Sequence, residues 1–310
     1  MQAVRFHSYG GNEVLTLETI KEPTPGPLEV VVKVAGTSFN PLDAAIRTGI
    51  LREFMPVELP FTPGVDVAGT VTALGEHVTG WNIGDAVIAY LSPPANGAAA
   101  EYAAVPAALL ASAPKTVPLA DAAALPAVGL TAHQALFEHL DLQAGERILI
   151  NGAGGGVGGY AVQLANRAGA SVTATASPRS TERVRSYGPD RIIDHTERAV
   201  TEALAGERFD KVLQLVRSTP EETAALAALT ADGGVFASAT TPGPQDLGRG
   251  VRMEQVYVRS DAKRLTDLVT LVDAGELRID VAERLPLDAL AAVHDRAFAG
   301  GLLGKTVLIP

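Results

Sequence analysis

The 310-residue chain contains no cysteine, a single tryptophan and only 5 % aromatic residues. Without thiols no disulfide can staple the fold, and no zinc site with thiolate ligands can form. Apolar runs long enough to cross a bilayer, about 20 residues, are lacking as well. The opening stretch Met1-Gln2-Ala3-Val4-Arg5-Phe6 alternates like a strand and carries no apolar leader core. We therefore expect a cytoplasmic protein that does not enter a membrane. Positive charge is in deficit too: 25 Lys and Arg stand against 35 Asp and Glu, a net charge of −10, with no dense basic block. That balance excludes an electrostatic nucleic-acid footprint. Hydrophobic residues, by contrast, make up 47 % of the chain and charged residues 19 %, which supplies core for two domains of ordinary size.

The first part of the chain is rich in Val, Pro and Gly. Short β-like runs at 30–34, 65–74 and 86–90 are separated by the turn signals Pro25-Gly26-Pro27, Pro63-Gly64 and Ile83-Gly84-Asp85. This predicts a compact β-rich domain. From about Leu119 the pattern changes to helices over 121–125 and 131–140, then to alternating strands and helices through 147–239. A strand over 253–258 and a helix over 262–273 follow, and the chain ends in a strand over 305–309. Such alternation predicts a doubly wound parallel sheet, and the tail, too short to be a domain, is expected to rejoin the first one. The fold class is α/β, with one domain over 1–118 and 275–310 and a nucleotide-binding domain over 119–274.

Asn-Gly-Ala-Gly-Gly-Gly-Val-Gly-Gly over 151–159 follows the apolar run Ile148-Leu149-Ile150. A strand that ends in a glycine-dense turn and opens into a helix aims unpaired backbone N–H groups at one spot, where the helix dipole favours an anion. Two registers meet the G-x-G-x-x-G spacing or its alanine-first variant: Gly154, Gly156 and Gly159, or Ala153, Gly155 and Gly158. The second puts Gly152 at the strand end and Val157, Ala161, Val162, Leu164, Ala165 and Ala168 on the buried side of the helix. A second β-rich run, Ser171-Val172-Thr173-Ala174-Thr175, completes the βαβ unit of about thirty residues that the motif requires. A dinucleotide is the predicted ligand, with Ala153, Gly155, Gly156, Val157 and Gly158 around its pyrophosphate.

The end of that second strand selects the cofactor. Units that bind NAD place Asp or Glu there for the ribose hydroxyls, whereas this chain has Ala176-Ser177-Pro178-Arg179. A carboxylate repels a 2′-phosphate, while Ser177 and Arg179 can donate to it, so NADPH is favoured over NADH. Arg183, one helical turn on, is a further candidate. Ser177 before Pro178 also reads as a helix N-cap, a purely structural role.

Pro25-Gly26-Pro27-Leu28-Glu29-Val30, Asn40-Pro41-Leu42-Asp43 with Ile46-Arg47-Thr48-Gly49, Pro63-Gly64-Val65-Asp66-Val67-Ala68-Gly69, Gly84-Asp85-Ala86-Val87, Gly129-Leu130-Thr131-Ala132, the glycine turn and Gly304-Lys305 occur in a specific order and spacing. In these motifs, over nearly its whole length, the chain resembles the medium-chain dehydrogenase/reductase superfamily, and within it the zinc-independent quinone oxidoreductase (zeta-crystallin-like) branch. The resemblance implies a GroES-like catalytic domain joined to a Rossmann domain. Zinc alcohol dehydrogenases of the superfamily carry Cys at the position of Asn40 and Gly-His-Glu at the positions of Gly64-Val65-Asp66, so no metal is expected. Without a Lewis acid, the easier reaction is hydride delivery to an already electrophilic quinone or α,β-unsaturated carbonyl.

By the same resemblance, Asn40 and Asp43 lie near the nicotinamide and substrate as catalytic residues, and Thr131 holds the cofactor's carboxamide region. Val216, Ser238 and Lys305 are further cofactor contacts, and His195, which stands where relatives usually have Tyr, is either a stacking or hydrogen-bonding cofactor contact or an ordinary exposed histidine. Several positions read equally as local structure: Asn40 as an Asx turn ahead of Pro41, and Thr131 or Asp43 as helix caps. Arg47 is either a substrate contact or part of a surface salt bridge. Arg217 stands where the family has glycine, and a phosphate contact, an anionic substrate and plain solvent exposure all stay open for it. Rival readings are an enoyl-thioester or polyketide-type enoyl reductase and a non-catalytic NADPH-binding crystallin-like or regulatory protein. The resemblance also implies a homodimer joined through the strand over 253–258.

Overall fold

The computed structural model describes residues 1–310. Met1–Ala127 with Ser260–Pro310 form one compact unit and Val128–Arg259 the other. The first contains β1 (Gln2–Arg5), β2 (Thr16–Thr19), β3 (Glu29–Ser38), α1 (Pro41–Arg47), β4 (Asp66–Leu74), β5 (Ala86–Tyr90), β6 (Tyr102–Pro106) and β7 (Ala111–Ser112). Helix α2 (Pro126–Gln134) leads into β8 (Arg147–Asn151), α3 (Gly156–Arg167), β9 (Ser171–Ala176), α4 (Thr181–Arg185), β10 (Arg191–Asp194) and α5 (Val200–Ala203). The second unit ends with β11 (Phe209–Gln214), α6 (Pro220–Ala227), β12 (Thr230–Ser238) and β13 (Arg252–Gln255). The chain then closes in the first unit with α7 (Ala262–Asp273), β14 (Val281–Pro286), α8 (Leu290–Phe298) and β15 (Lys305–Ile309).

In the first unit a sheet runs β14-β15-β3-β4-β5-β7, with β6 also on β3. Alternating Val30, Val32 and Val34 of β3 pack on Val67, Val71 and Val87 from β4 and β5, the period-2 pattern of a strand that covers a core. The tail joins this sheet, since Val307 and Leu308 of β15 pair with Ser38 and Thr37 of β3. Residues 119–127 and α7, which periodicity groups with the nucleotide-binding domain, lie in the first unit instead. Polar tethers hold them there. Arg284 grips both oxygens of Asp121 at 2.6 Å, and Asp273 at the end of α7 accepts the N–H groups of Lys115 and Thr116.

In the second unit, six parallel strands run β10-β9-β8-β11-β12-β13. Ile148, Leu149 and Ile150 of β8 are fully buried, as a central parallel strand covered on both faces requires. Leu149 packs with Phe209, Val212, Leu226 and Phe236. Chain order reverses between β8 and β11, and in open α/β sheets ligands bind beyond the carboxyl ends of the strands at such a point. The helix predicted over 131–140 is the end of α2 continued by a π turn, Ala135–His139. The strand predicted over 253–258 pairs only as Arg252–Gln255 and forms the sheet edge. No helix is long and apolar enough to cross a membrane.

Candidate active site

The glycine turn is shaped by two backbone requirements. Gly152 sits at φ +101°, a left-handed conformation that side chains disfavour. A Cβ on Gly158 would lie 2.2 Å from the Gly152 carbonyl oxygen and 2.6 Å from Ala153 Cα, so only glycine lets α3 pack this close to the end of β8. Gly158 therefore acts as the third glycine of the register with Ala153 and Gly155. Gly155 caps α3 and is exposed, and Gly156 and Val157 are half-buried. The first-turn N–H groups of a helix lack intrahelical acceptors, and those of α3 belong to Gly156, Val157 and Gly158.

Beyond β9 the backbone forms a turn over 177–180, and α4 begins only at Thr181 with Ser180 as its cap. Ser177 is thus not the helix cap its place before Pro178 suggests. Its carbonyl oxygen instead accepts from the Ser180 and Thr181 N–H groups and from the Thr181 hydroxyl. Arg179 is exposed, and Arg183 Nη2 donates to the Gly154 carbonyl at 2.6 Å, tying α4 to the glycine turn. His195 is exposed just past β10, with its N–H on Ala176 O. Val216 is 42 % exposed and its carbonyl accepts from Thr240 Oγ1 at 2.9 Å. Ser238 is buried, its hydroxyl donating to Thr241 O at 2.7 Å. Thr131 lies half-buried inside α2 rather than at a helix start, and Arg217 is exposed.

A polar cluster forms in the first unit where β3, β4 and β15 converge. Asn40 caps α1 with Pro41 in the first turn, and its N–H donates to Asp43 Oδ2 at 2.9 Å. The other Asp43 oxygen accepts the Gly64 N–H at 2.9 Å. Burial pushes the Asp43 carboxyl up to about 6, against the pull of those two N–H groups. Asp66, fully buried, accepts from Ser38 Oγ at 2.5 Å, Asn40 Nδ2 at 2.8 Å and the Ala127 N–H at 2.7 Å. Asn40 Nδ2 also donates to Ser38 O at 3.2 Å. Lys305 Nζ donates to Phe39 O and Asn40 Oδ1, each at 3.0 Å, and reaches Asp66 Oδ2 at 3.5 Å. Burial pulls the Lys305 ammonium below its usual range, while Asp66 and Asp43 oppose that shift. Tyr90 faces Asp66 across the β4–β5 pair, and burial raises its phenol above the usual value.

The structure thus brings Asn40, Asp43 and Lys305 together in one unit, and the glycine turn, Ser177, Arg179, His195, Val216 and Ser238 along the carboxyl ends of the sheet in the other. Arg47 makes no ion pair at the surface: it is buried and donates from Nη1 to the Gly10 carbonyl. Sequence reasoning missed Ser38 and Asp66 as parts of the cluster, and Asn151, Gln214 and Ser180 as supports of the nucleotide half. Asp66 was readable only as a position that differs from zinc relatives. The others carry no local signal, because a buried polar residue within a strand looks like any strand residue.

Comparison with known proteins places this geometry in a family. Residues 26–115 match the family described as alcohol dehydrogenase GroES-like domain, and residues 187–308 match one described as zinc-binding dehydrogenase. The chain is 34 % identical over 328 residues to the chloroplast envelope quinone oxidoreductase homolog of Arabidopsis thaliana, covering 100 % of this chain and 98 % of that one. It is 33 % identical to the NADPH-dependent alkenal/one oxidoreductase, chloroplastic, of the same plant, over 100 % of this chain and 80 % of the relative. Among solved structures, an NAD-dependent alcohol dehydrogenase aligns with TM-score 0.90 at 29 % identity over 100 % of both chains. The CurK enoyl reductase aligns with TM-score 0.86 at 26 % identity over 99 % of this chain and 98 % of that one. The GroES-like and parallel-sheet units, the glycine turn and this full-length likeness make the chain a member of the medium-chain dehydrogenase/reductase superfamily, in its quinone oxidoreductase branch.

Proposed function

We propose that this chain is an NADPH-dependent reductase that delivers hydride to quinones or to the β-carbon of α,β-unsaturated carbonyls, without zinc. The observation that carries the reading is the donor set of the polar cluster. No three His, Cys, Asp or Glu side chains stand close enough to hold a metal ion, and Asn40 Oδ1 and Asp66 Oδ2 both accept from the Lys305 ammonium. The residues present do not fit the zinc named in the family description. A substrate that needs no Lewis acid follows from that chemistry.

Bound NADPH supplies a hydride. The chain's own part is to hold and orient it. The first-turn N–H groups of α3, at Gly156, Val157 and Gly158, suit the pyrophosphate, with Ala153 and Gly155 leaving room for it. Ser177 and Arg179 are assigned to the 2′-phosphate, because the segment Ala176-Ser177-Pro178-Arg179 that ends β9 carries no carboxylate of its own. His195, Val216, Ser238 and Thr131 are assigned to the remaining cofactor contacts. Asn40 and Asp43 act as positioning residues in this reading, since both carboxamide hydrogens of Asn40 and both oxygens of Asp43 already have protein partners. We also assign the free edge of β13 as the place where a second copy adds to the sheet. An enoyl-thioester substrate is the second reading, favoured by the likeness to the CurK enoyl reductase.

The test follows NADPH oxidation with 1,4-benzoquinone, 9,10-phenanthrenequinone, small enones and enoyl-CoA, with NADH in parallel. Turnover of quinones or enones with NADPH is expected, and Arg179→Ala raises KM for NADPH about tenfold while leaving NADH unchanged. Equal use of NADH overturns the cofactor assignment. Turnover of enoyl-CoA alone moves the protein to the second reading.

A further inference from the structure

Lys305 opens β15 and is only 5 % exposed. An ammonium has three donors and no acceptor, and here three oxygens surround it: Phe39 O and Asn40 Oδ1 at 3.0 Å and Asp66 Oδ2 at 3.5 Å. Carbonyl, carboxamide and carboxylate oxygens arranged this way form a cation's coordination shell. The ammonium also decides which way round the Asn40 carboxamide lies. With Oδ1 toward Lys305, Nδ2 reaches Asp66 Oδ2 and Ser38 O. The flipped amide would set its NH2 against the ammonium and its oxygen against the carboxylate. Asp66 has 0 % exposure, and a carboxylate in that setting needs a compensating charge.

We propose that Lys305 is the tethered cation of this cluster, a positioning residue that compensates Asp66, fixes the orientation of Asn40 and occupies the volume a free cation would fill. The role rests on the reading that the cluster belongs to the reductase site. Its ligand class follows directly. When the side chain is cut back, the vacated space accepts a primary alkylammonium, and propylammonium replaces the four heavy atoms lost in Lys305→Ala.

The experiment measures melting temperature, and kcat and KM with the best acceptor, for the wild type, Lys305→Ala and Lys305→Met, with propylammonium chloride or with potassium chloride at equal ionic strength. Lys305→Met, which fills the space without charge, is expected to lower kcat about tenfold while leaving KM for NADPH within about twofold. Propylammonium is expected to raise both the melting temperature and kcat of Lys305→Ala, and to change neither for Lys305→Met. If Lys305→Ala is recovered unfolded, its recovery as a folded protein only in propylammonium supports the assignment, and failure of the amine to recover it overturns it. A Lys305→Met enzyme that matches the wild type overturns it as well, as does a folded Lys305→Ala that ignores the amine. If the wild type oxidises NADPH with none of the quinones, enones or enoyl-CoA tested, the reductase reading fails, whereas the melting temperatures still decide the role of Lys305.

Discussion

Asn151 Nδ2 donates to Gln214 Oε1 at 2.8 Å, joining the carboxyl ends of β8 and β11 where the strand order of the parallel sheet reverses. The bond sits in a longer chain. The Gly152 N–H donates to Thr175 Oγ1, and that hydroxyl donates to Asn151 Oδ1, each at 2.8 Å. Gln214 Nε2 passes on to Ser218 Oγ at 3.0 Å. One network therefore holds the glycine turn and the loop after β11 in register. Gln214 is buried, and Gln214→Leu removes the acceptor of Asn151 and the donor to Ser218. It is expected to cost about 1–3 kcal/mol in urea unfolding and to weaken NADPH binding several-fold by fluorescence titration. Unchanged values for both would show that the loops are held by other contacts.

Gly158 and Gly155 make opposite predictions. Gly158→Ala places a methyl against two backbone atoms that cannot turn aside, the Gly152 oxygen and Ala153 Cα. A loss of about 2–4 kcal/mol is expected, together with loss of cofactor binding. Gly155 has an ordinary φ of −85°, and its nearest obstacle lies 3.4 Å away. Gly155→Ala is therefore expected to keep the melting temperature and to weaken NADPH binding alone. Equal melting temperatures for the two variants would refute the packing role of Gly158.

Acid sensitivity follows from a histidine outside the glycine turn. His294 is fully buried, its ring stands edge-on to Phe39 at 4.8 Å, and neither ring nitrogen has a hydrogen-bond partner. Burial first, and the nearby Arg47 charge second, push it down from 6.5 to about 3. Between those values the unfolded chain holds a proton that the folded chain does not, so stability is lost on acidification at up to about 1.4 kcal/mol per pH unit. Asp43, pushed up to about 6, works the other way. From about pH 6 down to about 4, the unfolded carboxyl range, the folded state holds the extra proton and gains stability as pH falls. The two effects partly cancel there, and the acid loss steepens below about pH 4. His294→Leu is expected to flatten the loss in denaturant titrations across this range. A variant as acid-sensitive as the wild type would place the cause elsewhere.

Elements with strong local patterns were legible from the chain alone. Ala86–Tyr90, Arg147–Asn151, Ala262–Asp273 and Lys305–Ile309 begin and end where periodicity puts them. Residues 119–127 were not, because their place depends on distant partners: Ala122 to Leu125 are fully buried, the Ala127 N–H donates to Asp66, and Asp121 pairs with Arg284, 163 positions away. Ser177 misled for a related reason. A serine before proline fits a helix start, yet Ser180 and Thr181 turn back onto its carbonyl oxygen and delay the helix by a turn.

Sequence by itself determined the β-rich and parallel-sheet units, the glycine turn, the missing carboxylate after β9 and the absence of thiolate ligands, all properties of neighbouring residues or of composition. Only the tertiary structure decided that Lys305 meets Asp66 across 239 positions and Asn40 across 265. A strand pattern tells which face is buried but not which buried polar groups will find one another, because that depends on how sheets assembled from distant segments place their ends.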